Sequence, residues 1–352
     1  MSEPGQAAPR GAFAVNRRAR GVLQRVPVWV WRLLMHTVNR SELRRFNAEP
    51  IDRVRYWYDI DFVGDHTHSH RLDVMAPADA AGHESLPVYV YFHGGGWTSG
   101  DKASLTKYCA RQTAGGVVVV NVNYRMAPHF YLGQVLEDAN AALQWVAANI
   151  GRFGGDDRRI VLGGDSAGGQ IAALTTAATF RPELAEHYAL EPALRPEQLR
   201  GLVQHCSIVD FSEFFDQGFV MSLNFIRMLL PRDHEAFGGD DAGGNRKGGK
   251  PTGKQRRHRL REAAHYMSPI EWLDSRCPPV FITTSERDFF YRSNMNLIQR
   301  LEEHGVPVDS LVYGWDNANT EHTWQQDFRY PESQEVYRRL QSFISKVTLV
   351  KV

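Results

Sequence analysis

The feature that most constrains this chain is the run Gly164-Asp165-Ser166-Ala167-Gly168-Gly169. It follows an apolar stretch at 160–163 that reads as a buried strand, and it leads into a helical pattern starting at Ala167. A G-x-S-x-G sequence in that setting predicts a sharp strand-to-helix turn. Small residues flank the serine because a Cβ there would collide with neighbouring backbone. The turn lifts the Ser166 hydroxyl to the mouth of a sheet, above a helix N-terminus. Glycine and serine are common in ordinary turns, so the flanking elements give the pattern its weight.

The rest of the chain supplies a matching frame. Stretches 56–63 and 71–75 alternate in polarity and predict an antiparallel pair. Runs 88–92 and 117–122 are nearly all apolar, as strands buried on both faces require. A helical spacing at 136–150 follows, then the strand at 160–163, the helix from Ala167, and strands at 202–208 and 279–284. A helix at 294–304, a strand at 310–313 and a helix at 335–346 complete the series. Such alternation predicts an α/β fold, a mostly parallel sheet with helices on both faces. Residues 51–211 and 269–352 are expected to form that domain, and 212–268 a cap inserted into it. Within the insertion, 211–230 is crowded with Phe214, Phe215, Phe219, Met221, Phe225, Ile226 and Met228 and predicts cap helices. Residues 237–260 are rich in Gly, Lys and Arg and predict a flexible loop.

Composition narrows the function classes. The net charge of +1 gives no global pull toward nucleic acid, and no nucleic-acid partner is expected. Residues 1–50 are uneven, with nine Arg against three Glu. The first ten residues predict disorder and 20–48 an amphipathic helix contributing to the cap. The stretch 26–35 sets aromatics beside Arg32; it is too short to cross a bilayer and lacks a secretory cleavage site. It suits contact with a membrane surface, although packing on its own protein is the simpler expectation. Cys109, Cys206 and Cys277 lie far apart without metal-ligand spacing. Their odd number predicts free thiols in a reducing cytoplasm. A homodimer is compatible with all of this.

Further motifs surround the serine. His93-Gly94-Gly95-Gly96-Trp97 directly follows the strand at 88–92, so backbone N–H groups can point into a cavity. With the amide of Ala167 they could hold an oxyanion. His93 itself predicts a structural hydrogen bond. The chain lacks a P-loop Lys-Ser/Thr and the fuller dinucleotide fingerprint, and no cofactor or metal is expected. A serine needs a base, and the base a carboxylate to fix its tautomer. After the last strand, His322 is favoured over His304, which reads as a helix end. After the preceding strand the acid is Asp288 or Glu286, with Asp288 preferred.

Taken together, these residues resemble the hormone-sensitive-lipase-like branch of the α/β-hydrolases. The resemblance spans roughly 88–343 and rests on His93–Trp97, Tyr124-Arg125-Met126-Ala127-Pro128 and Gly164–Gly169. It implies an eight-stranded sheet with a helical cap, the nucleophile at Ser166, the acid at Asp288 and the base at His322. It places oxyanion donors at Gly94, Gly95 and Ala167. The acid loop departs from the family form D-P-L-R-D, reading Asp288-Phe289-Phe290-Tyr291-Arg292, and His322 is followed by Thr323-Trp324 rather than Gly-Phe. The expectation is a cofactor-free serine esterase acting on a small-molecule ester, with Trp97, Phe214 and Phe215 lining an apolar pocket. An amidase such as an arylformamidase, or a non-catalytic receptor on the same scaffold, are the alternatives.

Overall fold

The computed structural model describes residues 47, 51–79, 85–216, 219, 223–231, 234 and 252–349. The disorder, helix and membrane contact expected within 1–50 lie outside these residues, apart from Asn47. So does the part of the expected flexible loop up to 251.

Eight strands form one sheet: β1 (Val54–Asp61), β2 (Arg71–Pro77), β3 (Leu86–Phe92), β4 (Val118–Val122), β5 (Gly155–Asp165), β6 (Leu199–His205), β7 (Val280–Ser285) and β8 (Val308–Tyr313). Their order is β1-β2-β4-β3-β5-β6-β7-β8. β1 and β2 pair antiparallel, as do β2 and β4, and every later pair is parallel. The expected α/β architecture is therefore present, with the predicted antiparallel pair at one edge.

Side chains alternate across each strand and feed two core layers. From β3, Val88, Val90 and Phe92 join one layer, while Tyr89 and Tyr91 join the other. Helices α2 (Leu132–Asn149) and α3 (Ala167–Ala178) cover the first layer. Helix α1 (Thr106–Gln112) and the last helix, Pro331–Thr348, cover the second. All twelve residues of α3 are buried, which its Gly-Ala-Thr composition permits. α4 (Pro182–His187) follows it. The three cysteines are free and buried.

The insertion departs from expectation. Phe211–Phe215 is a 3-10 turn, and Leu223–Met228 forms the short helix α5. Residues 253–260, expected in a flexible loop, instead open the fifteen-residue helix α6 (Gly253–Met267). A capping box starts it: the Thr252 hydroxyl accepts from the Gln255 amide, and the Gln255 side chain accepts from the Thr252 amide. Leu260, Ala263, Ala264 and Met267 then bury one stripe. The charged first two turns hid a helix whose apolar periodicity begins only at Leu260. α7 (Pro269–Trp272), α8 (Tyr291–Glu303) and α9 (Pro331–Thr348) return the chain to the sheet. Among the described residues no helix is long and apolar enough to cross a membrane.

Candidate active site

The carboxyl ends of β3, β5, β6, β7 and β8 carry the site, where parallel α/β sheets place their ligands. Ser166 follows β5 as the residue that caps α3, at φ 52° and ψ −117°. Trp97, Cys206 and Thr323 also hold positive φ on neighbouring loops. Backbone conformations that L-residues avoid thus gather around one point, as they do at functional sites. The close approach explains the glycines of the turn. A Cβ on Gly168 would stand 2.0 Å from the Phe92 carbonyl oxygen, and one on Gly164 2.3 Å from the Gly168 carbonyl carbon.

The Ser166 amide donates to the His205 carbonyl (3.0 Å), and the Ser166 carbonyl accepts from Ile208 (3.1 Å). The turn is thereby fastened across to the end of β6. His322 Nδ1 lies 2.8 Å from the Asp288 carboxylate. Asp288 also accepts from the Phe290 amide, and its side chain is fully buried. The rings of Phe289 and Phe290 stand 4.2 and 5.6 Å from the imidazole and hold it in place. Among the described residues no hydrogen bond joins the Ser166 hydroxyl to the ring; such contacts often tighten only with substrate bound. The Ser166 amide bonds the carbonyl of His205, and the next residue, Cys206, has its sulfur within 4.8 Å of ligand atoms of both Asp288 and His322. Glu286 is exposed and accepts from the Trp315 amide at 2.7 Å, away from the imidazole. His304 caps α8, and His93 is buried, bonded to the Gly94 carbonyl and stacked on Tyr124.

The glycine loop corrects one expectation. The Gly94 amide donates to the Asp165 carboxylate at 3.0 Å, so it is not available to an oxyanion. The amides of Gly95, Gly96 and Ala167 have no hydrogen-bond partner among the described residues. Gly96 was within the motif, but only the folded loop shows which of three consecutive N–H groups is consumed. The pocket expectation also changes. Trp97 is fully buried with its indole N–H on Gln170, and Phe214 is buried and stacked on Phe211. Both therefore belong to the core wall. Phe215 alone of the three lines a cleft of about 350 Å³, together with Ser212, Asp216, Arg261 and His265.

Asp165 is the residue that sequence reasoning passed over. Its carboxylate accepts from the Tyr91 hydroxyl (2.7 Å), the Gly94 amide and the Gln326 side-chain amide (2.9 Å). Burial pushes its acid up to about 6, opposed by the Tyr91 hydroxyl and the nearby His322. Burial also drives His205 down to about 3, keeping that imidazole neutral beneath the serine.

A strained serine turn and a buried acid paired with an imidazole, at the carboxyl edge of this eight-stranded sheet, define the α/β-hydrolase fold. Residues 89–217 match the model of a family described as having the alpha/beta hydrolase fold. Over 92 residues, 26% of this chain and 29% of the relative, it is 42% identical to the carboxylesterase NlhH of Mycobacterium tuberculosis. Over 89 residues, 25% of this chain and 28% of the relative, it is 45% identical to that species' esterase LipI. The chain thus matches less than a third of the length of these curated relatives. Among solved structures it is similar to esterase B of Lactobacillus Rhamnosis, with a TM-score of 0.74 and 18% identity over 94% of this chain and 96% of that one. The Pyrobaculum calidifontis esterase gives a TM-score of 0.62 and 23% identity, covering 95% and 99%.

Proposed function

We propose that the chain hydrolyses carboxylic esters of small molecules through an acyl-enzyme on Ser166. The observation that carries this reading is the 2.8 Å contact of His322 Nδ1 with buried Asp288, on the same carboxyl edge of the sheet as the strained serine. That contact fixes the proton on Nδ1 and leaves Nε2 as the base. Ser166 loses its proton to Nε2 as its oxygen attacks the ester carbonyl. The free amides of Gly95, Gly96 and Ala167 receive the developing oxyanion. Protonated His322 then gives its proton to the departing alcohol, and water, activated by the same ring, releases the acid. Each lost oxyanion donor is worth roughly 10²–10³ in turnover.

The names of the similar proteins, carboxylesterase and esterase, support the ester class. The intact acid–imidazole pair favours an enzyme over a receptor on the same scaffold. Short- to medium-chain and aromatic esters suit the aromatic surroundings of His322. The test is Ser166→Ala assayed on p-nitrophenyl acetate and butyrate. We expect turnover to fall by several orders of magnitude; retention of most activity would sink the reading.

A further inference from the structure

Cys206 takes no part in the chemistry above, yet it adjoins it. It directly follows β6 with φ 47°, and its sulfur, an Asp288 carboxylate oxygen and a His322 ring nitrogen all lie within 4.8 Å of one another. Thiol and carboxylate are buried and the imidazole is partly exposed. The ring nitrogen facing the carboxylate is Nδ1. Three different ligand chemistries therefore converge from the ends of three adjacent strands, β6, β7 and β8.

Charge provides a second, independent observation. Asp165 and Asp288 are both buried; Asp288 meets the His322 ring, and Asp165 accepts from Gln326, four residues further along the same loop. Among the described residues neither carboxylate is ion-paired with a Lys or Arg. Two buried carboxylates face a single imidazole, and the cluster has a deficit of positive charge.

We propose that Cys206, Asp288 and His322 form a binding site for a soft divalent cation of the Zn²⁺ type, and that occupancy switches the active site off. Such a cation takes thiolate, imidazole and carboxylate ligands at about 2.0–2.3 Å in a tetrahedron whose fourth corner is water. The site needs only a slight parting of Asp288 from His322 and an approach of the thiol. On binding, the S–H bond of Cys206 breaks heterolytically, sulfur bonds the cation, and the proton passes to solvent. The Nδ1 lone pair joins the cation, so the single ring proton must reside on Nε2. Nε2 then donates and can no longer take the Ser166 proton. No electron changes hands, and one proton is released per cation. The switching rests on His322 being the general base; the coordination does not.

The test uses the full chain, stripped with EDTA and titrated with Zn²⁺ or Co²⁺. We expect Zn²⁺ to stop p-nitrophenyl butyrate turnover and EDTA to restore it. Co²⁺ should give a thiolate-to-metal charge-transfer band. Cys206→Ala should lose that band and raise the inhibitory Zn²⁺ concentration by about tenfold or more. Cys206→Ser, nearer in volume, serves if the alanine variant folds poorly. Unchanged Zn²⁺ sensitivity in these variants, or no thiolate band in the wild type, would overturn the proposal. The band and the proton release need no turnover. A protein with the band but no esterase activity therefore refutes the hydrolase reading alone, and an esterase without the band refutes the cation site alone.

Discussion

Asp165 and Gln326, 161 residues apart in the chain, are joined by a 2.9 Å hydrogen bond from the Gln326 amide to the Asp165 carboxylate. The same carboxylate holds Gly94 of the glycine loop and directly precedes Ser166. One buried acid therefore ties together the segments bearing the serine, the glycine loop and, through Gln326, the loop of His322. Asp165→Asn should lower kcat by roughly 10²-fold, the scale of a small misplacement of reacting groups, with little change in KM. Gln326→Ala, which cuts only the link to the histidine loop, should show a smaller loss of the same kind. Steady-state kinetics on one ester separates these outcomes; a pure KM effect would contradict the positioning role.

Asp288 and Glu286 are neighbours with opposite placements. Asp288→Asn should leave the imidazole in the wrong tautomer and reduce turnover by about 10⁴. Glu286→Gln keeps an acceptor for the exposed Trp315 amide and should leave turnover essentially unchanged. Comparable losses in the two variants would show that the acid has been misassigned.

Glu213, in the 3-10 turn Phe211–Phe215, is buried with one carboxylate oxygen lacking a partner among the described residues. Burial, with Asp210 adding to it, pushes its acid up to about 7 against the favourable Ser293 hydroxyl. The unfolded chain ionises near pH 4.3, so the folded state holds the proton longer. Stability is lost as pH rises from there toward 7, and the penalty is complete above it. Glu213→Gln has no such penalty. Thermal melts should therefore show the variant gaining on the wild type between pH 5 and 8, whereas a constant offset would exclude the titration.

Gly168 has no room to grow. In Gly168→Ala the new methyl would press on the Phe92 carbonyl, part of the backbone that leads into the glycine loop. Overpacking of this kind costs about 1–3 kcal/mol, and here it should also displace Gly95 and Gly96. Denaturant melts and kcat should fall together.

Much of this was legible from residue order because local chemistry specified it. The apolar runs at β3 and β4 and the serine turn each carry their own signal, and strand-helix alternation then leaves few topologies. Asp288 was preferred to Glu286 from residue order, and the fold sets the two apart: Asp288 meets the imidazole of a loop 34 residues on, while Glu286 holds the Trp315 amide. Gly94 was misread because three successive amides look alike until one meets Asp165. Trp97 reads as a pocket residue by its type, but its indole N–H found a buried partner in Gln170 and drew it inward. Cys206 gives no local signal, because only the pairing of β6 with β7 sets it beside the acid. In α6, a capping box ahead of two charged turns was the available clue, and apolar periodicity alone passes over it.

Gln170 has one more consequence. While its oxygen holds Trp97, its nitrogen donates to the Met267 carbonyl at 2.7 Å, anchoring the last turn of α6 to the helix behind the serine. Ser268 secures the same spot, donating to the Ala264 carbonyl and accepting from the Phe211 amide. That corner makes the Met267 end of α6 rigid with α3, so any displacement of α6 there is passed to the helix that carries the serine turn.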